Sequence, residues 1–188
     1  AKQQWMLIDD DNRFQKEVVS PSVKEYIHEY GIPEKLLSTH IHDLTFQKFW
    51  ANYTGVGEYQ ALHNHNAVFS FVVWLKLPSC AIEEQAVPDT MHPEAGNFIL
   101  QYTDITGRCR KQSWTLEQQY NEGHMLLFPS CLYHAVYPHF LTEEKRLSVA
   151  GDIAINSMGL KGISDQGMPL GPCNSQEFLR KDSGKAHI

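Results

Sequence analysis

The sequence predicts a mainly β domain, a sandwich or barrel of short strands carrying helices at its N-terminal end. Three observations point there. From Phe46 to about Asn156 the chain is a succession of short runs rich in β-branched and aromatic residues. Those runs are separated by turn clusters such as Thr54-Gly55-Val56-Gly57, Pro93-Glu94-Ala95-Gly96, Thr106-Gly107 and Asn121-Glu122-Gly123. Helical periodicity is confined to a segment ahead of them, and many short strands with regular turns close on themselves or pack as two sheets.

Taken in order, Val23, Tyr26, Ile27 and Tyr30 recur at helical spacing. With Ser20 as cap and Pro21 at the first helical position, the pattern predicts a helix stopped near Gly31-Ile32-Pro33. A second short helix is expected from Pro33 through Leu37. Strands are expected at Phe46–Tyr53, Ala67–Leu77, Asn97–Tyr102, Lys111–Leu116, Met125–Phe128, His134–Val136 and Arg146–Ile155. The polar stretch from Pro78 to Pro93 reads as a long loop at the mouth of the β-structure. Residues 157–188 turn to Gly, Ser, Pro and Lys and read as a C-terminal tail or arm, so residues 1–156 form one domain and the arm suits a homodimer contact.

A chain of 188 residues is long enough to bury a core as one domain. Its net charge of -6 argues against binding to phosphate backbones or anionic membranes, which takes clustered basic surface. Nucleic acid and membrane are therefore not the expected partners. No apolar run approaches a membrane span, and the segment from Ala1 to Trp5 lacks the apolar core of a signal peptide, so a cytoplasmic protein is expected. Cys80, Cys109, Cys131 and Cys173 form no C-x-x-C pair and are expected reduced.

The chemistry concentrates in three places. His63 and His65 head the run Leu62 to Leu75; if that run is extended, both imidazoles leave the same face. Further on, Gly123 to Val136 contains Phe128-Pro129-Ser130 and His134. A His-x-His pair with a distant histidine on another strand supplies three imidazoles to one metal ion, with positions left open for substrate. Arg146 and Ser148 also share a strand face, and a guanidinium fork beside a hydroxyl is a receptor for a carboxylate. The bland alternative for Arg146 is a surface ion pair with Glu143 or Glu144. His124 and His139 are expected behind the site or on the surface, and His40 and His42 in a loop.

The order His63-Asn64-His65, then Gly123 through Phe128-Pro129-Ser130 to His134-Ala135-Val136-Tyr137-Pro138, then Arg146-Leu147-Ser148, resembles the 2-oxoglutarate/Fe(II)-dependent oxygenases. It is most similar to a branch found in bacteria and their tailed phages, and the resemblance spans roughly Phe49 to Asn156. It implies a double-stranded β-helix, a jelly-roll and cupin relative, with N-terminal helices packed on one sheet. It implies a dioxygenase using Fe(II), 2-oxoglutarate and O2, with His63, His65 and His134 as metal ligands. Arg146 and Ser148 then receive the distal carboxylate of 2-oxoglutarate, and Tyr59 contributes a phenolic contact to the same molecule. Trp74, Phe71, Tyr102 and Phe128 are candidates for the cavity wall.

The departure is at position 65, where most of that superfamily carries Asp or Glu. A neutral third ligand leaves the metal one unit more positive. By strand logic Asp104 and Asp152 are the carboxylates that could replace it. Two other functions suit the same pattern: a three-histidine cupin-type metalloenzyme that uses no 2-oxoglutarate, and a non-catalytic jelly-roll binding or structural protein. The expected substrate is a small molecule or a peptide.

Overall fold

The computed structural model of the chain describes residues 3–30, 44–79, 94–155 and 185–187. The expected helix from Pro33 to Leu37, His40 and His42, most of the Pro78 to Pro93 loop, Cys80, Cys173 and nearly all of the C-terminal arm lie outside them.

Among these described residues, ten strands form two sheets. They are β1 (Gln3–Ile8), β2 (Leu44–Thr54), β3 (Gln60–His63), β4 (Phe69–Lys76), β5 (Phe98–Thr103), β6 (Cys109–Trp114), β7 (Met125–Pro129), β8 (Tyr133–Val136), β9 (Arg146–Ile155) and β10 (Lys185–His187). The larger sheet has the order β10-β1-β2-β9-β4-β7 and the smaller β3-β8-β5-β6. From β2 to β9 the chain passes back and forth between four strands of each, and this is a double-stranded β-helix. Pairing is antiparallel throughout these eight core strands.

The seven strands expected from the sequence are all present, within a few residues at each end. Strands β1, β3 and β10 escaped pattern reading. β1 pairs with β2 and, in parallel, with β10, extending the sheet past its core. β3 is four residues long and half exposed, so it shows little hydrophobic alternation.

Helical structure begins earlier than Ser20. A π-helical turn, Gln15–Val19, runs without a break into helix α1, Ser20–Glu29. Ser20 is therefore inside the helical segment and makes no cap. Asp9 takes that role, its carboxylate accepting the backbone N–H groups of Phe14 and Gln15 at 3.2 and 2.9 Å. Pro21, which has no N–H to give, sits where the π turn hands over to the α-helix. A short helix α2, Gln118–Asn121, lies between β6 and β7.

Strand alternation divides the larger sheet into two unlike faces. Its outer face, with Phe49, Ala51, Phe69, Phe71, Val149 and Ile153, packs against Val19, Val23 and Ile27 of the helical layer. Phe14 stacks on Phe49 with centroids 5.5 Å apart. A bulge between Phe46 and Lys48 lets Phe46 and Phe49, three residues apart, face the same side. Gly151 is required on this face: a Cβ there would lie 2.6 Å from the Phe71 ring. Phe71 is thus in the outer core and does not wall the cavity, which corrects one expectation. The inner face joins Trp50, Val72, Trp74 and Ala150 to Phe98, Leu100 and Phe128, and this second core fills the barrel.

Candidate metal centre

The smaller sheet delivers two of the three histidines. His63, the last residue of β3, is the register partner of His134 on β8, and their ring centroids are 4.3 Å apart. They are neighbours on adjacent strands of one sheet. His65 is not on a strand: β3 has ended, and His65 lies in the connection to β4. The extended-run expectation for this pair fails because the chain leaves one sheet for the other between them. The three imidazoles still converge, with a ligating nitrogen from each within 4.8 Å of the others.

Hydrogen bonding shows which nitrogens face inward. His63 Nδ1–H donates to the Ala61 carbonyl at 2.6 Å and His134 Nδ1–H to the Leu132 carbonyl at 3.2 Å. His65 Nδ1 lies 2.8 Å from the Asp152 carboxylate. With each Nδ1 engaged, Nε2 is the nitrogen left to ligate in all three rings. Burial, followed by the neighbouring His63 and His65, pushes His134 down to about 3. Burial also lowers His63, partly opposed by its bond to Ala61. Both rings are neutral at physiological pH, the state in which imidazole binds metal.

These residues suit a divalent ion. His65 Nε2 is buried with no hydrogen-bond partner among the described residues, and a buried polar atom left so is costly. A metal ion held by the three Nε2 atoms would satisfy it. Asp152 does not replace His65 as a ligand; it stands behind the ring. Asp104, half-buried in the turn between β5 and β6, bonds Thr106, Arg108 and Arg110 and is held at about 2 by those bonds. It takes no part in the centre.

On β9 the residues Arg146, Ser148, Ala150 and Asp152 alternate inward, beside Ser70, Val72 and Trp74 of β4. Arg146 is 3% exposed, so the surface ion-pair alternative is excluded. Its two terminal nitrogens donate to the carbonyls of Gly96, at 2.6 Å, and Tyr137, at 3.5 Å, which orients the guanidinium plane. Gly96 has φ 76°, and the turn it makes presents that carbonyl. Ser148 is buried, whereas Tyr59, just ahead of β3, is 60% exposed. Of the wall candidates, Trp74 and Phe128 are inside the barrel and Tyr102 is at the surface.

Among the remaining histidines, His124 is exposed and His139 is buried. His139 Nε2–H donates to the Glu144 carbonyl at 2.8 Å and fastens the loop before β9. Cys109 and Cys131 are free thiols at the surface.

A family model described as "Putative 2OG-Fe(II) oxygenase" matches residues 48–152, more than half of the chain and the span that holds every strand of the site. The chain belongs to this oxygenase family. 2OG-Fe(II) oxygenases work with Fe(II), 2-oxoglutarate and O2, in keeping with the three-histidine cluster. No curated protein sequence matches the chain. Among solved structures, this oxygenase is similar to a 2OG-Fe(II) oxygenase-family oxidoreductase from Burkholderia pseudomallei (14% identity, TM-score 0.41, 59% of this chain and 45% of that one). It is similar to a prolyl-4-hydroxylase from Pseudomonas putida (16%, TM-score 0.34, 58% and 53%). It is also similar to HygX from Streptomyces hygroscopicus, solved with iron bound (13%, TM-score 0.41, 73% and 70%). The chain spans about half the length of the first two. Among the described residues, no helix of this oxygenase is long and apolar enough to cross a membrane.

Proposed function

We propose that the chain is an Fe(II)- and 2-oxoglutarate-dependent hydroxylase. His63, His65 and His134 would hold the iron, and Arg146 with Ser148 would take the distal carboxylate of 2-oxoglutarate. The observation that carries this reading is the combination of the three converging imidazoles with a buried guanidinium and hydroxyl aligned on the inner face of β9. When bound, the iron and 2-oxoglutarate supply oxidative decarboxylation to succinate and CO2, coupled to oxidation of a second substrate.

The protein's own part is placement and exclusion of water. Three neutral Nε2 donors on one side of a metal leave its other positions to exchangeable ligands. Arg146, its plane set by the Gly96 and Tyr137 carbonyls, presents a charge-assisted donor pair of the kind that recognises carboxylates. Trp74, Phe98 and Phe128 close the barrel interior, which strengthens that pairing by lowering the local dielectric. Tyr59, exposed just ahead of β3, would contribute a phenolic contact to 2-oxoglutarate. The second substrate is a small molecule or a peptide side chain. The eight core strands lie within residues 44–155, which supports one oxygenase domain over residues 1–156.

The test is succinate formation from 2-oxoglutarate in the presence of Fe(II) and O2. The wild type is expected to produce it, slowly without the second substrate, and His134→Ala to produce none. Iron binding with no 2-oxoglutarate consumption under any condition would favour the three-histidine cupin-type alternative.

A further inference from the structure

His65 is the ligand least secured by secondary structure, and it is the most elaborately held. Its Nδ1 meets the Asp152 carboxylate at 2.8 Å. Asp152 also accepts the Ser70 hydroxyl at 2.8 Å, and Ser70 Oγ lies 2.8 Å from Ser130 Oγ. Because the Ser70 proton is committed to Asp152, Ser130 is the donor in that pair. The ring of contacts then closes on itself, since the Ser130 carbonyl accepts the His65 backbone N–H at 3.0 Å. Trp50 lies parallel to the imidazole, 8° between planes and 5.6 Å between centroids. Ser70, Ser130 and Asp152 are each at most 3% exposed, so this is an interior network in which each member is bonded to its neighbours in the ring.

Asp152 is a carboxylate placed inside a barrel, and among the described residues its bonding partners are His65 and Ser70. Its register neighbours are Lys48 on β2 and Ser70 on β4. A buried carboxylate carries a desolvation cost that a surface position would avoid, so its location calls for a reason. The reason lies at position 65. A His-x-Asp pair brings one negative charge to the metal directly, and His-x-His brings none. Asp152 supplies that charge on the far side of the imidazole ring.

Resting on the metal-binding reading above, we propose that Asp152 is the positioning residue of this centre and its displaced carboxylate. It fixes His65 as the Nδ1–H tautomer, aims Nε2 at the metal, and offsets the charge of a neutral ligand set. Ser70 and Ser130 hold Asp152 in that role. Carboxylates bonded to a metal-ligating histidine orient the ring and raise its basicity, and their loss commonly weakens metal binding about 10–100-fold.

Two measurements test this, and neither depends on turnover. The first is the equilibrium affinity for Fe(II), and for Co(II) as a spectroscopic substitute, under anaerobic conditions in wild type, Asp152→Asn, Ser70→Ala and His134→Ala. Asp152→Asn is expected to bind about 10–100-fold more weakly while melting near the wild-type temperature without metal, Ser70→Ala to lose a few-fold, and His134→Ala to lose binding altogether. The Co(II) visible spectrum should change in Asp152→Asn, as a merely structural residue would not require. The second is the tautomer of His65 in the metal-free wild type, read from long-range proton–nitrogen NMR, where Nδ1–H is expected. Should Asp152→Asn prove unfolded, Ser70→Ala and the tautomer carry the test. Wild-type affinity in Asp152→Asn alongside loss in His134→Ala overturns this inference and leaves the metal centre standing, as does an Nε2–H tautomer. A wild type that binds no divalent metal overturns both.

Discussion

The two faces of strand β9 share one backbone and do opposite work. Outward, Leu147, Val149, Gly151 and Ile153 meet an aromatic layer under the helix, where Phe14, Phe46, Phe49 and Phe71 stack within about 6 Å of one another. Inward, Arg146, Ser148 and Asp152 are polar or charged and equally buried. The outer face holds the sheet together by area and dispersion, and the inner face spends stability on groups that need partners. Side-chain period 2 makes this possible, because one strand serves both faces without either constraining the other's composition. Changes on the outer face should therefore alter stability and leave ligand binding intact, and changes on the inner face should do the reverse.

The largest effect expected is at the centre itself. His134→Ala should abolish divalent metal binding by calorimetry, while far-UV circular dichroism stays that of the wild type. Phe71→Ala, on the other face, should cost about 3–5 kcal/mol in chemical denaturation and leave the metal affinity of the folded protein unchanged. If that substitution weakened metal binding, the separation of the two faces would be wrong. Arg146→Ala should weaken 2-oxoglutarate binding by about 1.5–3 kcal/mol, roughly 10–100-fold, with iron affinity little altered. Gly151→Ala, which pushes a methyl into the Phe71 ring, should destabilise by about 1–3 kcal/mol despite its position next to Asp152.

A further effect is expected on pH dependence. In the metal-free chain His134 is held near 3, far below the ordinary histidine value of 6.5, chiefly by burial. Between those values the unfolded chain takes up a proton that the folded one refuses. Its contribution is fully present above about pH 6.5 and is lost as pH falls toward 3, with a limiting slope of about 1.4 kcal/mol per pH unit. Denaturation at pH 7, 6, 5 and 4 should show this decline, shallower in His134→Ala.

Much of this was legible in the residues. The alternation along β9 and β4 and the turn clusters gave the strands, and Arg146 and Ser148 were recognisable as one face because strand parity is exact over so short a distance. What escaped had physical causes. β3 is four residues long and half exposed, β1 is six residues long and only partly buried, and neither carries a strong hydrophobic period. The π turn and the Asp9 cap displace the helix start from where Ser20 and Pro21 suggested. The bulge at Phe46 and Lys48 reverses parity within β2, so a strict period-2 reading puts Phe46 on the wrong face. The bond between His65 and Asp152 joins residues far apart in the chain and could not be read from either neighbourhood. With it, the missing carboxylate at position 65 becomes a question about a second residue.

The central claim is that His63, His65 and His134 hold iron and that the iron takes 2-oxoglutarate under the guidance of Arg146. Anaerobic titration of the purified chain with Fe(II) followed by 2-oxoglutarate tests it most directly. The account predicts a visible metal-to-ligand charge-transfer band that saturates with 2-oxoglutarate, is absent in His134→Ala, and needs more 2-oxoglutarate to develop in Arg146→Ala. A wild-type protein that binds Fe(II) and shows no band at saturating 2-oxoglutarate, or that binds no Fe(II), would contradict it.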